Sequence, residues 1–253
     1  MELSNAILSK AEVTETMVLG CRDINWRCQG GWSALDQACS SGRAEVVSLI
    51  LRHPHVDVNL RNPGRNSPLI NATWMGREEI VRLLLDDDRV QADLTSVQGK
   101  TALWVAALWG YHDIVRWLIA SGKDLNVPSR AYWVDGRYTA AEIARYKHHL
   151  DTSMLIEQYC DSTTNARFLV RLSLGLFMPL AAELFALIIF LCDDYLKLRV
   201  SESTSRRFFG MATRLPMELQ MVLCLRMFRS AKTNIVIREA ERAFRLLVAF
   251  LEQ

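Results

Sequence analysis

Three residue types recur at one interval, and that recurrence restricts the fold more than any other feature of the chain. Leu35, Leu69 and Leu103 are 34 residues apart, as are Gly42, Gly76 and Gly110, and Ala38, Ala72 and Ala106 keep the same register. A period of 34 residues marks a stack of supersecondary units, because one such unit cannot bury its apolar face alone. The best-preserved unit, Gly99 to Asn126, shows what each contains. Thr101 can cap a first helix with its hydroxyl, Ala106 and Ala107 allow close packing, and Gly110 can take the left-handed position that ends it. Ile114, Val115, Leu118 and Ile119 then recur at helical spacing, and Gly122 offers a second stop before the extended Lys123-Asp124-Leu125-Asn126.

The other units repeat the scheme. Val46, Val47, Leu49, Ile50 and Leu51 form the apolar face of the first unit's second helix, and Ile80, Val81, Leu83, Leu84 and Leu85 do so in the second. A fourth unit carries Thr139-Ala140-Ala141-Glu142-Ile143-Ala144 at an offset of 38 from Thr101 to Ala106, so four extra residues fall in the loop Arg130 to Asp135, and His148 stands at the glycine position. Upstream, Leu3 to Asn25 has the pattern of a degraded unit closed by Asp23-Ile24-Asn25. The tetrads Ser33-Ala34-Leu35-Asp36, Ser67-Pro68-Leu69-Ile70 and Thr101-Ala102-Leu103-Trp104 resemble the Thr-Pro-Leu-His signature of the ankyrin repeat, a finger-like turn plus two antiparallel helices. The resemblance implies an all-α ankyrin solenoid over residues 1–160, with a half unit (1–25) and repeats at about 26–59, 60–94, 95–126 and 127–160. A helical, apolar C-terminal domain over 165–253 follows, with Cys160 to Asn165 as a polar linker. The signature His is missing from all three tetrads, which predicts a less regular hydrogen-bond network between repeats.

In ankyrin stacks the residue before the signature Thr and the two before the first-helix Gly face the concave groove. The resemblance carries that role to Trp32, Ser40 and Ser41, to Asn66, Trp74 and Met75, to Lys100, Leu108 and Trp109, and to Tyr138, Tyr146 and Lys147. Among them Trp32, Asn66, Trp74, Met75, Lys100, Leu108, Trp109, Tyr138 and Tyr146 are the expected partner-binding residues. Large amphipathic side chains facing solvent supply contact area with little rotamer entropy to lose, which suits a protein partner. Such a patch is also one that water disfavours, and the alternative is that the C-terminal helices of the same chain cover it. Trp104 and Trp117 are expected in the core or between repeats.

Beyond Tyr159 the period stops. Leu172 to Cys192 is 21 residues long, enough to span a bilayer, with one charge, Glu183, and with Gly175 and Pro179. Its Leu, Ile and Phe residues favour insertion by roughly 0.3–0.6 kcal/mol each, and the central carboxylate opposes it by about 2.5–3.5 kcal/mol. Pro, Gly and Ser reduce the gain, so the balance is near zero, and two buried helices meeting at Pro179 account for the same letters. Further on, Leu215-Pro216 with Glu218-Leu219 and then Val222-Leu223 is similar to the opening of an F-box, the helical motif that docks onto the adaptor of cullin-type ubiquitin ligases. That likeness implies a substrate-recruiting subunit with Leu215, Pro216, Glu218 and Leu219 on the adaptor, although Pro followed by Glu and Leu is also ordinary chemistry for a helix start.

Charge narrows the choice of partner. Lys+Arg number 30 against 28 Asp+Glu, split as 17 against 20 in residues 1–164 and 13 against 8 in residues 165–253, so no dense basic face for nucleic acid is expected. The six cysteines lack a Cys-x-x-Cys spacing and the first residues lack a secretory pattern, which predicts reduced thiols and a cytoplasmic or nuclear location. There is no Gly-rich phosphate loop, Gly-x-Ser-x-Gly elbow or His-Glu-x-x-His, so neither enzymatic activity nor a cofactor or metal is expected. His53-Pro54-His55, His148-His149 and the acid run Asp86-Asp87-Asp88 fall in repeat loops and are expected to be solvated. A non-enzymatic protein-binding module is the leading expectation, with the ligase adaptor and a membrane anchor at 172–192 as alternatives.

Overall fold

Each first helix starts where a hydroxyl meets a backbone N–H three residues on. Ser33 accepts from Asp36 N at 3.1 Å, Ser67 from Ile70 N at 3.4 Å, Thr101 from Trp104 N at 3.1 Å and Thr139 from Glu142 N at 3.3 Å. These caps open α2 (Ala34–Ser41), α4 (Pro68–Trp74), α6 (Ala102–Trp109) and α8 (Ala140–Tyr146). Each is followed by its hairpin partner, α3 (Ala44–Leu51), α5 (Glu78–Leu85), α7 (His112–Ser121) and α9 (Leu150–Asp161), while α1 (Glu15–Leu19) precedes them and α10 (Thr163–Ser173) follows. The computed structural model describes Leu3, Ala6, Ile7, Ser9 and residues 11–134 and 136–176. The chain divides into two units, Met1–Arg167 and Phe168–Gln253, and the repeats make up the first.

First helices stack in the order α2, α4, α6, α8 and second helices in the order α1, α3, α5, α7, α9. The recurrent Leu35, Leu69, Leu103, Ala38, Ala72 and Ala106 are all buried between them, as the 34-residue register requires. Closing loops are tied across repeats by the carboxamides of Asn25 and Asn59. Asn25 donates to His55 O at 2.8 Å and accepts from Asp57 N at 2.8 Å. One period later Asn59 donates to Arg89 O at 2.8 Å and accepts from Gln91 N at 2.9 Å. At the amino end the Arg43 guanidinium donates to the carbonyls of Ala6 and Ala11 at 3.2 and 2.7 Å, fixing the degraded unit against the first repeat.

The missing signature His leaves an irregular set of bridges between repeats, in line with the sequence expectation, with different groups serving the first and third repeats. In the first repeat Asp36 stands at that position, completes a capping box with Ser33 and accepts from Asn71 Nδ2 of the next repeat at 2.8 Å. Burial pushes the Asp36 carboxyl above its ordinary range, against the lowering effect of the bonds from Ser33 and Asn71. In the third repeat the fully buried Trp104 donates its Nε1 proton to Tyr138 O of the fourth at 2.8 Å. A carboxylate and an indole thus do locally what an imidazole does in the signature.

The fingers show the effect of the insertion. Three of them are tight turns closed by the backbone bonds Cys28 N to Trp32 O at 3.0 Å, Asn62 N to Asn66 O at 3.1 Å and Ser96 N to Lys100 O at 2.9 Å. The fourth is longer and becomes a two-stranded hairpin, β1 (Ala131–Trp133) and β2 (Gly136–Tyr138), with Ala131 paired to Tyr138 and Trp133 to Gly136. It remains a small addition to an otherwise helical array.

Gly110 ends α6 in the left-handed conformation at φ 68°, and His148 occupies the same position after α8 at φ 63°. A side chain there is strained, since a left-handed non-glycine residue costs about 1–2 kcal/mol. Part of that strain is offset by the extra unfolded-state entropy of glycine. His148→Gly is therefore expected to stabilise the array by about 0.5–1 kcal/mol, seen as a higher denaturant midpoint at unchanged slope.

Other expectations are revised. The polar linker expected at Cys160 to Asn165 is built mostly from helix: α9 runs to Asp161 and α10 begins at Thr163, with Thr163 Oγ1 donating to Tyr159 O at 3.1 Å across the join. The acid run is only partly solvated. Asp87 accepts from Arg89 Nε at 3.0 Å, and although burial pushes its carboxyl up, the Arg89 bonds outweigh burial and hold it below the ordinary range. Arg89 also donates to Leu51 O of the preceding repeat at 2.7 Å. The stretch proposed as a membrane span does not open as part of one helix, because α10 ends at Ser173 and Gly175 turns the chain at φ 69°. Among the described residues no helix is long and apolar enough to cross a membrane. Residues 177–192 and the F-box-like Leu215, Pro216, Glu218 and Leu219 lie outside the described residues.

Candidate functional site

The last turns of the first helices and the finger loops bring aromatic rings from three successive repeats together. Trp74 at the end of α4 and Trp109 at the end of α6 meet edge to face, with centroids 6.0 Å apart and an interplanar angle of 72°. Such pairs add to the area that they bury, and their geometry is fixed by the ring quadrupoles. Trp109 is 49% exposed and its neighbour in the groove register, Met75, 51% exposed, so both remain open to a partner. Tyr138 from β2 and Tyr146 from the end of α8 meet in a tilted pair, with centroids 5.3 Å apart and an interplanar angle of 40°.

Between these pairs sits a lysine. Lys100 Nζ lies 5.1 Å from the ring centroid of Trp74, 5.4 Å from Trp104 and 5.1 Å from Trp133. Trp104 and Trp133 themselves are tilted against each other by 54°, with centroids 6.1 Å apart. Three indole faces replace part of the water around one ammonium, an arrangement stabilised by the negative face of each ring. The residue is only 6% exposed, and burial holds its ammonium below the ordinary lysine range. Lys147, at the end of α8, extends the alternation, with Nζ 5.3 Å from Trp133 and 5.8 Å from Tyr146.

Two expected groove residues are placed differently from the sequence reading. Lys100 is covered by Trp74, Trp104 and, from the lengthened fourth finger, Trp133. Leu108 is 3% exposed: α6 is packed by α4 on one side and α8 on the other, and only its last residue, Trp109, opens to solvent. Trp32 and Asn66 are half-buried in their own fingers, where Asn66 N donates to Asn62 Oδ1 at 3.0 Å. Neither joins the ladder of rings. Trp117, expected in the core or between repeats, bridges α5 and α7, donating to Glu78 Oε1 at 3.0 Å with the Arg82 guanidinium 4.5 Å from its ring centroid.

Beside the tyrosine pair lies a cleft of about 390 Å³ lined by Arg130, Arg137, Tyr138, Glu142, Arg145 and Tyr146. Arg130 pairs with Glu142 at 2.8 Å and Arg145 with Glu157, while Arg137 lies over the Tyr132 ring at 4.9 Å. The Glu142 carboxyl is held below its ordinary range, mainly by the Thr139 backbone N–H that it caps. Sequence register had not singled out Trp133, Arg130, Arg137 or Arg145 as site residues. The available signal was the insertion itself, which carries a Tyr-Trp pair into the finger. Among the described residues there is no cluster of three or more His, Cys, Asp or Glu arranged to hold a metal ion.

Comparison with known proteins agrees with the geometry. The family model described as ankyrin repeats matches residues 3–96 and, overlapping, 52–129, together half of the chain. It stops short of the fourth unit, whose insertion breaks the period. Among solved structures the chain is similar to EF0377, an ankyrin repeat protein, at 29% identity and a TM-score of 0.55, over 62% of this chain and 79% of that one. No curated protein matches.

Proposed function

We propose that this chain, which belongs to the ankyrin-repeat family, grips one protein partner on the face formed by Trp74, Met75, Trp109, Tyr138 and Tyr146. The observation that carries the proposal is the run of rings from three repeats in which Trp109 and Met75 stay open to solvent. Rigid aromatic anchors of this kind dominate binding hot spots because they exclude water over a large area and lose little side-chain entropy. Recognition is the role that fits, since the exposed rings and cations of this face offer contact area to a partner.

The partner can be recovered by affinity purification on the whole chain, with Trp74→Ala/Trp109→Ala as the comparison. Neither residue is fully buried, so the double variant should remain folded by circular dichroism while the specific partner disappears from the eluate. Retention of the same partner at equal yield would place the binding surface elsewhere.

A further inference from the structure

Two ammonium groups share one indole without a counter-charge. Lys100 and Lys147 lie 5.1 and 5.3 Å from the centroid of Trp133, and among the described residues neither forms an ion pair. Arg130 and Arg145 of the same face differ in this respect, because each holds a carboxylate. Arg137 is a third cation without an ion pair among the described residues and rests on Tyr132. Like charges held near one ring, with part of their water removed, repel each other more than they would in bulk solvent. Trp133 adds to the imbalance: its Nε1 is buried without an acceptor. Lys100 is enclosed by Trp74, Trp104 and Trp133 at 6% exposure, so its charge acts from behind the rings, while the exposed Lys147 keeps the side away from Trp133 open to an anion.

Building on the groove reading above, we propose that the partner presents an acidic peptide segment with one carboxylate on the exposed Lys147 ammonium, where the enclosed Lys100 charge adds to the attraction. A neighbouring apolar side chain of that segment rests against Trp74 and Trp109. A carboxylate is favoured over a nucleic-acid phosphate backbone because residues 1–164 hold 17 Lys+Arg against 20 Asp+Glu, so the array has no extended positive field. Three cations without ion pairs beside a patch of rings match a short motif of acids and hydrophobes.

The test is selection of a random peptide library, displayed on phage, against the whole chain. Captured peptides should be enriched in Asp and Glu next to Leu, Phe or Trp. Lys147→Gln, at an exposed position, should weaken a selected peptide about tenfold, the scale of one lost charge-assisted bond. Lys100→Met, which keeps the apolar stem under the rings, should weaken it by a smaller factor because its charge acts without contact, and replacing the peptide's Glu with Gln should remove the difference between wild type and variants. Peptides that need Trp74 and Trp109 but show no acidic enrichment, or that bind Lys147→Gln unchanged, would overturn this inference and leave the groove reading standing. Peptides indifferent to Trp74→Ala/Trp109→Ala, or no captured peptides, would count against both. Tighter binding of single-stranded oligothymidylate at the same site would replace the acidic peptide with nucleic acid.

Discussion

Trp104→Ala lowers the unfolding free energy of the repeat array by about 4 kcal/mol, the range for removing a fully buried tryptophan. Two separate losses make up that figure. The cavity opens in α6, the helix packed on both sides by α4 and α8, so the walls have little freedom to collapse. The Nε1 bond to Tyr138 O also disappears, leaving a carbonyl of the fourth finger without its donor. Trp104→Phe separates the two, since it restores most of the volume and none of the hydrogen bond. Its cost should be about 1–2 kcal/mol. Because each repeat is stabilised chiefly by its neighbours, the alanine variant should also loosen coupling between the third and fourth units, visible as a broader transition in denaturant followed by far-ultraviolet circular dichroism. A Trp104→Ala protein within 1 kcal/mol of the parent would show that the indole does not replace the signature His as described.

Gly110→Ala should cost about 2–4 kcal/mol. The backbone there stands at φ 68°, and a Cβ would come within 2.5 Å of His149 Nδ1 and 2.7 Å of its ring carbon Cγ. Left-handed strain accounts for about 1–2 kcal/mol, and displacing a ring close to its own backbone adds a comparable amount. Gly42 supplies the control. Its φ is 79°, but the added Cβ would meet only the guanidinium end of Arg77 at 3.0 Å, which can swing aside. Gly42→Ala should therefore lose little beyond the strain. Equal losses at the two sites would mean that close stacking of repeat on repeat is not what requires glycine at residue 110.

The parts of this fold that depend on period were legible in the sequence. Leu35, Leu69 and Leu103 predicted the buried seam, and Ser33, Ser67, Thr101 and Thr139 predicted the helix starts, because caps and core positions are local and repeat with the chain. Asp36 and Trp104 were legible only as departures: which atom each reaches in the next repeat depends on how the repeats stack, and no spacing contains that. In the candidate site, Trp74, Trp109, Tyr138 and Tyr146 followed from the groove positions that the family resemblance implies, carried over by register. Trp133 did not, since four inserted residues shift it out of phase, and without Trp133 the burial of Lys100 could not be foreseen. Leu108 failed for the opposite reason, because a position that opens to the groove in a generic repeat is here closed by neighbours on both sides.

Trp74 and Trp109 are the proposed anchors for a partner, and titration calorimetry with the purified partner tests this most directly. Against the wild-type chain, Trp74→Ala/Trp109→Ala should lose about a hundredfold in affinity, the scale of a paired aromatic hot spot. Trp117→Ala removes an equally large ring between the second helices α5 and α7, and should bind as the wild type does. Unchanged affinity in the double variant, or a loss confined to Trp117→Ala, would contradict the assignment of the aromatic face.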